Sequence, residues 1–132
     1  MKSIDAKDKR PLSPHLQIYR PIPTMVMSIM HRITGAALYV GTLLLAWWLI
    51  ALSSGEPYFN FVNGFFGSFL GLLILFGYTW ALIHHALGGI RHFIWDLGHG
   101  FEPKFATRMA YATAIGSVSL TGLLWIIGFA AA

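Results

Sequence analysis

Charged side chains vanish from three long stretches of this chain. Residues 33–52, 65–83 and 109–129 are apolar and uncharged. About twenty such residues in a helix cross a hydrocarbon core. The first helix is expected to begin near Thr24 or Met25, because Pro23 suits a helix start. Ser53-Ser54-Gly55-Glu56-Pro57 ends it with turn residues, and a short loop through Asn60 and Asn63 follows. The second helix continues past its apolar run into a polar segment and reaches Asp96 or Leu97, with Gly98 and Gly100 as stops. Glu102, Pro103, Lys104 and Arg108 form the next loop. The pattern predicts an all-α membrane protein with three transmembrane helices, at about 25–52, 65–97 and 109–130.

Ahead of this 24–132 unit lies an arm, residues 1–23. Pro11, Pro14, Pro21 and Pro23 preclude a long regular helix there. Leu16, Ile18 and Tyr19 need cover, so the arm is expected to lie along the membrane surface or a partner protein. No apolar segment follows the first residues at once, which excludes a secretory signal. Asp5 and Asp8 argue against an organelle transit peptide.

Composition agrees with a small polytopic membrane protein. Of 132 residues, 56% are hydrophobic and 11% charged, with a mean hydropathy of +0.63. The absence of cysteine removes disulfides, iron–sulfur ligation and thiolate metal sites from this chain. The net charge of +4 matters less than its placement. Lys2, Lys7, Lys9, Arg10, Arg20 and Arg32 precede the first span, and Arg91, Lys104 and Arg108 lie at or after the end of the second. All basic residues therefore fall on one side, which the positive-inside rule makes cytoplasmic, or matrix in an organelle. The same placement explains the basic residues without nucleic-acid binding. No P-loop, Rossmann glycine pattern or catalytic serine motif is present.

Two constellations carry chemistry. In the first, His85, Gly89, His92, Asp96 and His99 recur at spacings of four and three, one narrow stripe at about 100° per residue. Gly88 borders it. Ionisable groups within a span mark a site, and glycine on a helix face lets a backbone or a flat ligand approach. Spacing alone suits two roles equally: a metal or haem site built on neutral imidazole, or hydrogen bonding to a neighbouring helix, with Arg91 and Asp96 marking the membrane boundary. In the second, Ser28 and Arg32 are four apart and share a helix face. A hydroxyl and a guanidinium together suit a carbonyl-bearing amphiphile such as a quinone. On spacing alone, Arg32 is better explained as a snorkelling topology anchor.

Three motifs now stand in order: Arg10-Pro-Leu-Ser-Pro-His15, Ser28-Ile-Met-His31-Arg32-Ile-Thr-Gly35 and His85-x-x-x-Gly89-x-Arg91-His92-x-x-x-Asp96. Together, over essentially the whole chain, they resemble the cytochrome b membrane-anchor subunit of succinate dehydrogenase, complex II. The resemblance implies that Ser28 and Arg32 serve ubiquinone. It implies that His85 is an axial ligand of haem b, with His31 and His92 in the region of the haem propionates. The second axial histidine would come from a second membrane-anchor subunit, which completes the helical bundle. An iron–sulfur subunit and a flavoprotein subunit would dock on the cytoplasmic or matrix face, and succinate would be oxidised there, not by this chain. No flavin or iron–sulfur centre is expected here, and no independent catalytic activity. The expected location is a bacterial inner membrane, with the amino terminus cytoplasmic and the carboxyl terminus periplasmic, or alternatively the mitochondrial inner membrane. His84 departs from the family pattern. Adjacent helical positions diverge by about 100°, so His84 and His85 cannot both serve one haem, and the spacing to Gly89 favours His85.

Two other classes of function compete. One is a cofactor-free structural anchor, in which the stripe is packing. The other is a transporter subunit using the stripe as a proton relay, for which no repeat or discontinuous helix pair is present. The topology has a direct test: a reporter fused after Ala132 is expected to be active outside the cytoplasm only, and activity confined to the cytoplasm contradicts three spans.

Overall fold

A computed structural model describes residues 19–131 as four helices: α1 (Pro23–Ser53), α2 (Glu56–Gly67), α3 (Phe69–Asp96) and α4 (Pro103–Ala131). α1, α3 and α4 are each long and apolar enough to cross a membrane, and no strand occurs among the described residues. The greater part of the expected arm, residues 1–18, lies outside them.

Three boundaries differ from the sequence expectation. The segment read as a loop through Asn60 and Asn63 is helix α2. Its start follows Gly55, whose φ of 104° suits glycine, with Pro57 in the first turn. Val62 and Phe66, one turn apart, then bury against Ala51 with Leu44, Trp47 and Trp48 around them. The second span begins at Phe69 and not at 65, because Ser68 adopts an extended backbone and caps α3, its hydroxyl accepting from the Gly71 N–H at 3.2 Å. α4 starts at Pro103, so Lys104 and Arg108 sit on its first turns and not in a loop. The end of α3 follows expectation. Gly98 at φ 80° donates to the Trp95 carbonyl and His99 to the Ile94 carbonyl, the Schellman arrangement that satisfies the last carbonyls of a helix.

Small residues set how the helices meet. Thr34 and Gly41 of α1, Ala81, His84 and Gly88 of α3, and Ala110, Thr113, Ser117 and Thr121 of α4 are buried. Large residues such as Leu43, Leu73, Ile115 and Ile126 face outward. This inverts a soluble core. Lipid tails are as apolar as leucine, so close backbone approach holds helices together in a bilayer. The buried hydroxyls are satisfied locally: Thr113 donates to the Met109 carbonyl at 2.9 Å and Thr121 to the Ser117 carbonyl at 2.7 Å. α1 and α3 run antiparallel, with Gly35 beside His85, the His31 ring over Gly88 and the Tyr78 ring over Gly41. α4 packs on α3, where Leu87 meets Gly116 and His84 meets Ser117, and also contacts α1.

Gly71 and Gly64 test this packing. A Cβ at Gly71 would run into the backbone of Phe65 and Phe66, which cannot yield, whereas Gly64 faces open space. Gly71→Ala is expected to lower the melting temperature of the purified membrane assembly, at a cost of about 1–3 kcal/mol. Gly64→Ala, inside α2, is expected to be neutral or to stabilise by up to about 1 kcal/mol. A thermal melt of both variants checks the contrast.

Candidate functional site: a histidine cluster between α1 and α3

The polar segment of α3 divides into two faces. His84, Gly88 and Arg91 are buried, while His85 and Gly89 are half-buried and His92 and Asp96 exposed. The expected stripe therefore exists from His85 to Asp96. It stops there, because α3 ends at Asp96 and His99 belongs to the following turn.

The adjacent histidines part company as helical geometry requires. His84 is only 2% exposed, and its Nδ1 lies 3.1 Å from Ser117 Oγ across the α3–α4 interface. That hydroxyl donates to the Ala114 carbonyl at 2.9 Å, so it is free to accept from an Nδ1–H of His84. His85 turns to α1 instead. Its Nδ1 lies 3.1 Å from the His31 carbonyl oxygen and 3.4 Å from Thr34 Oγ1. A carbonyl can only accept, so Nδ1 carries a proton, and in the neutral ring Nε2 keeps its lone pair. This is the tautomer of a histidine prepared to ligate through Nε2, with the second nitrogen held by a carbonyl.

His31 completes the cluster. Its ring stacks on that of His85 with centroids 3.9 Å apart and planes 8° from parallel, and it lies 5.1 Å from the His92 ring. Gly88 makes this possible, because a Cβ there would collide with the His31 ring. Gly35 does the same for His85, leaving only 3.1 Å between its own Cβ position and His85 Cε1. Gly89 is different: nothing lies within 4 Å of its Cβ position. The two neighbouring glycines thus divide the work, Gly88 seating a side chain of the chain itself and Gly89 leaving a gap beside His85 and His92.

The structure brings His31, His85 and His92 together and keeps His84 apart. Ser28 is half-buried, one turn before His31 and Arg32, and Arg32 is exposed. Among the described residues no three metal-ligating side chains converge on one point. A groove of about 590 Å³ lies toward the far end of α1 and α3, lined by Gly41, Leu44, Trp48, Phe66 and Tyr78 among others, with no histidine or charged residue in its lining.

Sequence reasoning did not foresee three features: the burial of Thr34, the His31–His85 stack and the burial of Arg91, which the spacing suits to marking the membrane boundary. Thr34 is buried beside His85, though its place in the Ser28–Gly35 motif, three residues after His31, marked the same face. The His31–His85 stack joins residues 54 apart and has no local signal. Arg91 is 3% exposed, with Nε and Nη1 lacking hydrogen-bond partners among the described residues. Its guanidinium carbon lies 5.2 Å from the centre of the Trp95 ring, and Trp95 is itself anchored by its indole N–H to the Gly100 carbonyl at 3.2 Å.

Comparison with known proteins agrees with this architecture. Residues 6–124 match the model of the family described as succinate dehydrogenase/fumarate reductase transmembrane subunit. The succinate dehydrogenase cytochrome b556 subunit of Paracoccus denitrificans is 43% identical over 123 residues, covering 93% of this chain and 95% of the relative. That of Rickettsia felis is 39% identical over 119 residues, 90% and 93% of the two chains. The mitochondrial cytochrome b560 subunit of Sus scrofa is 38% identical over 120 residues, 86% of this chain and 71% of its own. With three membrane-length helices and a family match across nearly its whole length, this chain belongs to the succinate dehydrogenase/fumarate reductase transmembrane subunit family and is a cytochrome b-type membrane anchor of complex II.

Proposed function

We propose that the uncovered side of α1 and α3 binds haem b together with a second anchor subunit and forms part of the site that reduces ubiquinone. The carrying observation is the setting of His85: Nδ1–H held by the His31 carbonyl, with the ring turned to α1 and away from the His84–Ser117 contact with α4. The residues fit the group. His85 would hold the iron through a ring nitrogen, Gly89 would leave room for a flat macrocycle, and His31 and His92, clustered with His85, would meet its propionates. His84 does not fit, being buried against Ser117. One axial ligand here leaves the other to the second anchor subunit. Bound haem supplies a one-electron reservoir within the membrane.

Ser28 and Arg32 serve the quinone in this reading. Reduction needs two electrons and two protons. Ser28 Oγ–H donates to a carbonyl oxygen as that oxygen gains negative charge, and the Arg32 guanidinium, charged at every physiological pH, stabilises the charge. The exposure of Arg32 leaves it free to meet a ligand bound outside this chain's own bundle. Electrons reach the site from an iron–sulfur subunit, reduced in turn by a flavoprotein subunit that oxidises succinate. Both dock at the end of the bundle that carries the basic residues, cytoplasmic in a bacterial inner membrane or facing the matrix in a mitochondrion. The spans contact the lipid bilayer. This chain has no activity of its own; it anchors, ligates and positions.

Two experiments test these roles. His85→Ala is expected to abolish or strongly perturb the dithionite-reduced haem spectrum of the assembled complex. His84→Ala should keep axial ligation and lose about 1 kcal/mol of stability, through loss of the His84–Ser117 hydrogen bond between α3 and α4. Loss of the bis-imidazole spectrum in His84→Ala alone would reverse the assignment. Ser28→Ala and Arg32→Leu are expected to slow ubiquinone reduction by about 10²–10³-fold, the effect of losing one donor to a developing oxyanion. Succinate oxidation with an artificial dye should persist in the same membranes. Normal quinone turnover in a fully assembled Arg32→Leu complex would leave Arg32 as a topology anchor.

A further inference from the structure

We infer that His31 is a positioning residue for the haem ligand: its ring is a flat plate that fixes the rotation of the His85 imidazole, while its backbone carbonyl fixes the tautomer. The inference rests on the proposed ligation by His85 and adds a function for His31 distinct from a polar contact with a propionate.

An imidazole ligating through Nε2 can still turn about the axis from Cβ through the ring, and a hydrogen bond at Nδ1 restrains that rotation only weakly. A second ring at 3.9 Å and 8° removes the freedom, because any turn of His85 drives its edge into the face of His31. The plate is itself confined. One face meets His85, the His92 ring stands 5.1 Å away and tilted by 47°, and the Nδ1 edge looks onto the backbone of Gly88. His31 Nδ1 is buried and finds no partner among the described residues. The ring is therefore held by its faces and by the glycine beneath it, not by hydrogen bonding of that nitrogen. The carbonyl of the same residue accepts from His85 Nδ1–H. Thr34 Oγ1, which donates to the Met30 carbonyl at 2.8 Å, lies beside the same nitrogen at 3.4 Å. A single residue of α1 thus sets both the direction of the His85 lone pair and the plane in which the ring lies. Glycines on both helices, Gly35 and Gly88, let the two rings come this close.

The readout is the orientation of the ligand plane, which activity does not report. In a low-spin ferric haem with two imidazole ligands, the largest g-value in the electron paramagnetic resonance spectrum follows the angle between the ligand planes. The assembled complex is purified with His31→Ala, His31→Phe and Gly88→Ala, and haem content is measured alongside the spectrum. Plate removal in His31→Ala is expected to shift and broaden the largest g-value with haem retained. His31→Phe keeps a flat ring without imidazole nitrogens and is expected to restore the native value. Gly88→Ala pushes the plate from the opposite helix and should shift the value with every histidine still present, so the test survives an assembly defect in either His31 variant. An unchanged g-value in both His31→Ala and Gly88→Ala overturns the inference. So does a His31→Phe spectrum that matches His31→Ala, which would assign His31 a polar contact. Failure of the underlying reading looks different: haem ligation would then survive His85→Ala.

Discussion

The close antiparallel approach of α1 and α3 governs the rest of this structure. It exists because Gly35 and Gly88 remove side-chain bulk at two points about one helical turn apart, and each gap is filled by a ring from the other helix. His85 enters the gap at Gly35, and His31 enters the gap at Gly88. The two rings then stack on one another, and the His31 carbonyl accepts from His85. With its second nitrogen occupied, His85 cannot act as a free polar group in an apolar setting. Its ring turns to α1, away from the contact that His84 makes with α4.

The membrane explains why so much depends on small groups. Burial of apolar surface cannot hold these helices together where the solvent is itself apolar, so packing and interhelical hydrogen bonds carry the association. The α3–α4 contact uses both: Ala110, Thr113, Ser117 and Thr121 allow close approach, and His84 meets Ser117 across it. The neighbouring histidines therefore have opposite fates on one helix. His84 joins α3 to α4, and His85 joins α3 to α1. Arg91 is buried beside Trp95 about two turns further along.

Much of this was legible in the sequence, because the signals are periodic. Long uncharged runs showed the three spans, and the four-three spacing from His85 to Asp96 showed one helix face. The divergence of His84 from His85 followed from about 100° per residue. What escaped the sequence was local capping and long-range contact. The helix Glu56–Gly67 was hidden because its apolar residues merge with the next span, and only the Ser68 cap separates them. The start of α4 at Pro103 was masked by the charges of Lys104 and Arg108, which read as a loop but lie on a helix end. At the site, the residue types were visible and their partners were not. Nothing local in the sequence states that His31 stacks on His85 or that Gly88, rather than Gly89, is filled by this chain.

A density map of the whole complex in lipid, sharp enough to place imidazole rings, tests the central claim most directly. The account predicts haem iron bonded to Nε2 of His85, a second imidazole from the other anchor subunit on the opposite side, and the His31 ring still stacked on His85. Iron bonded to His84, or held by two ligands from outside this chain, would contradict it.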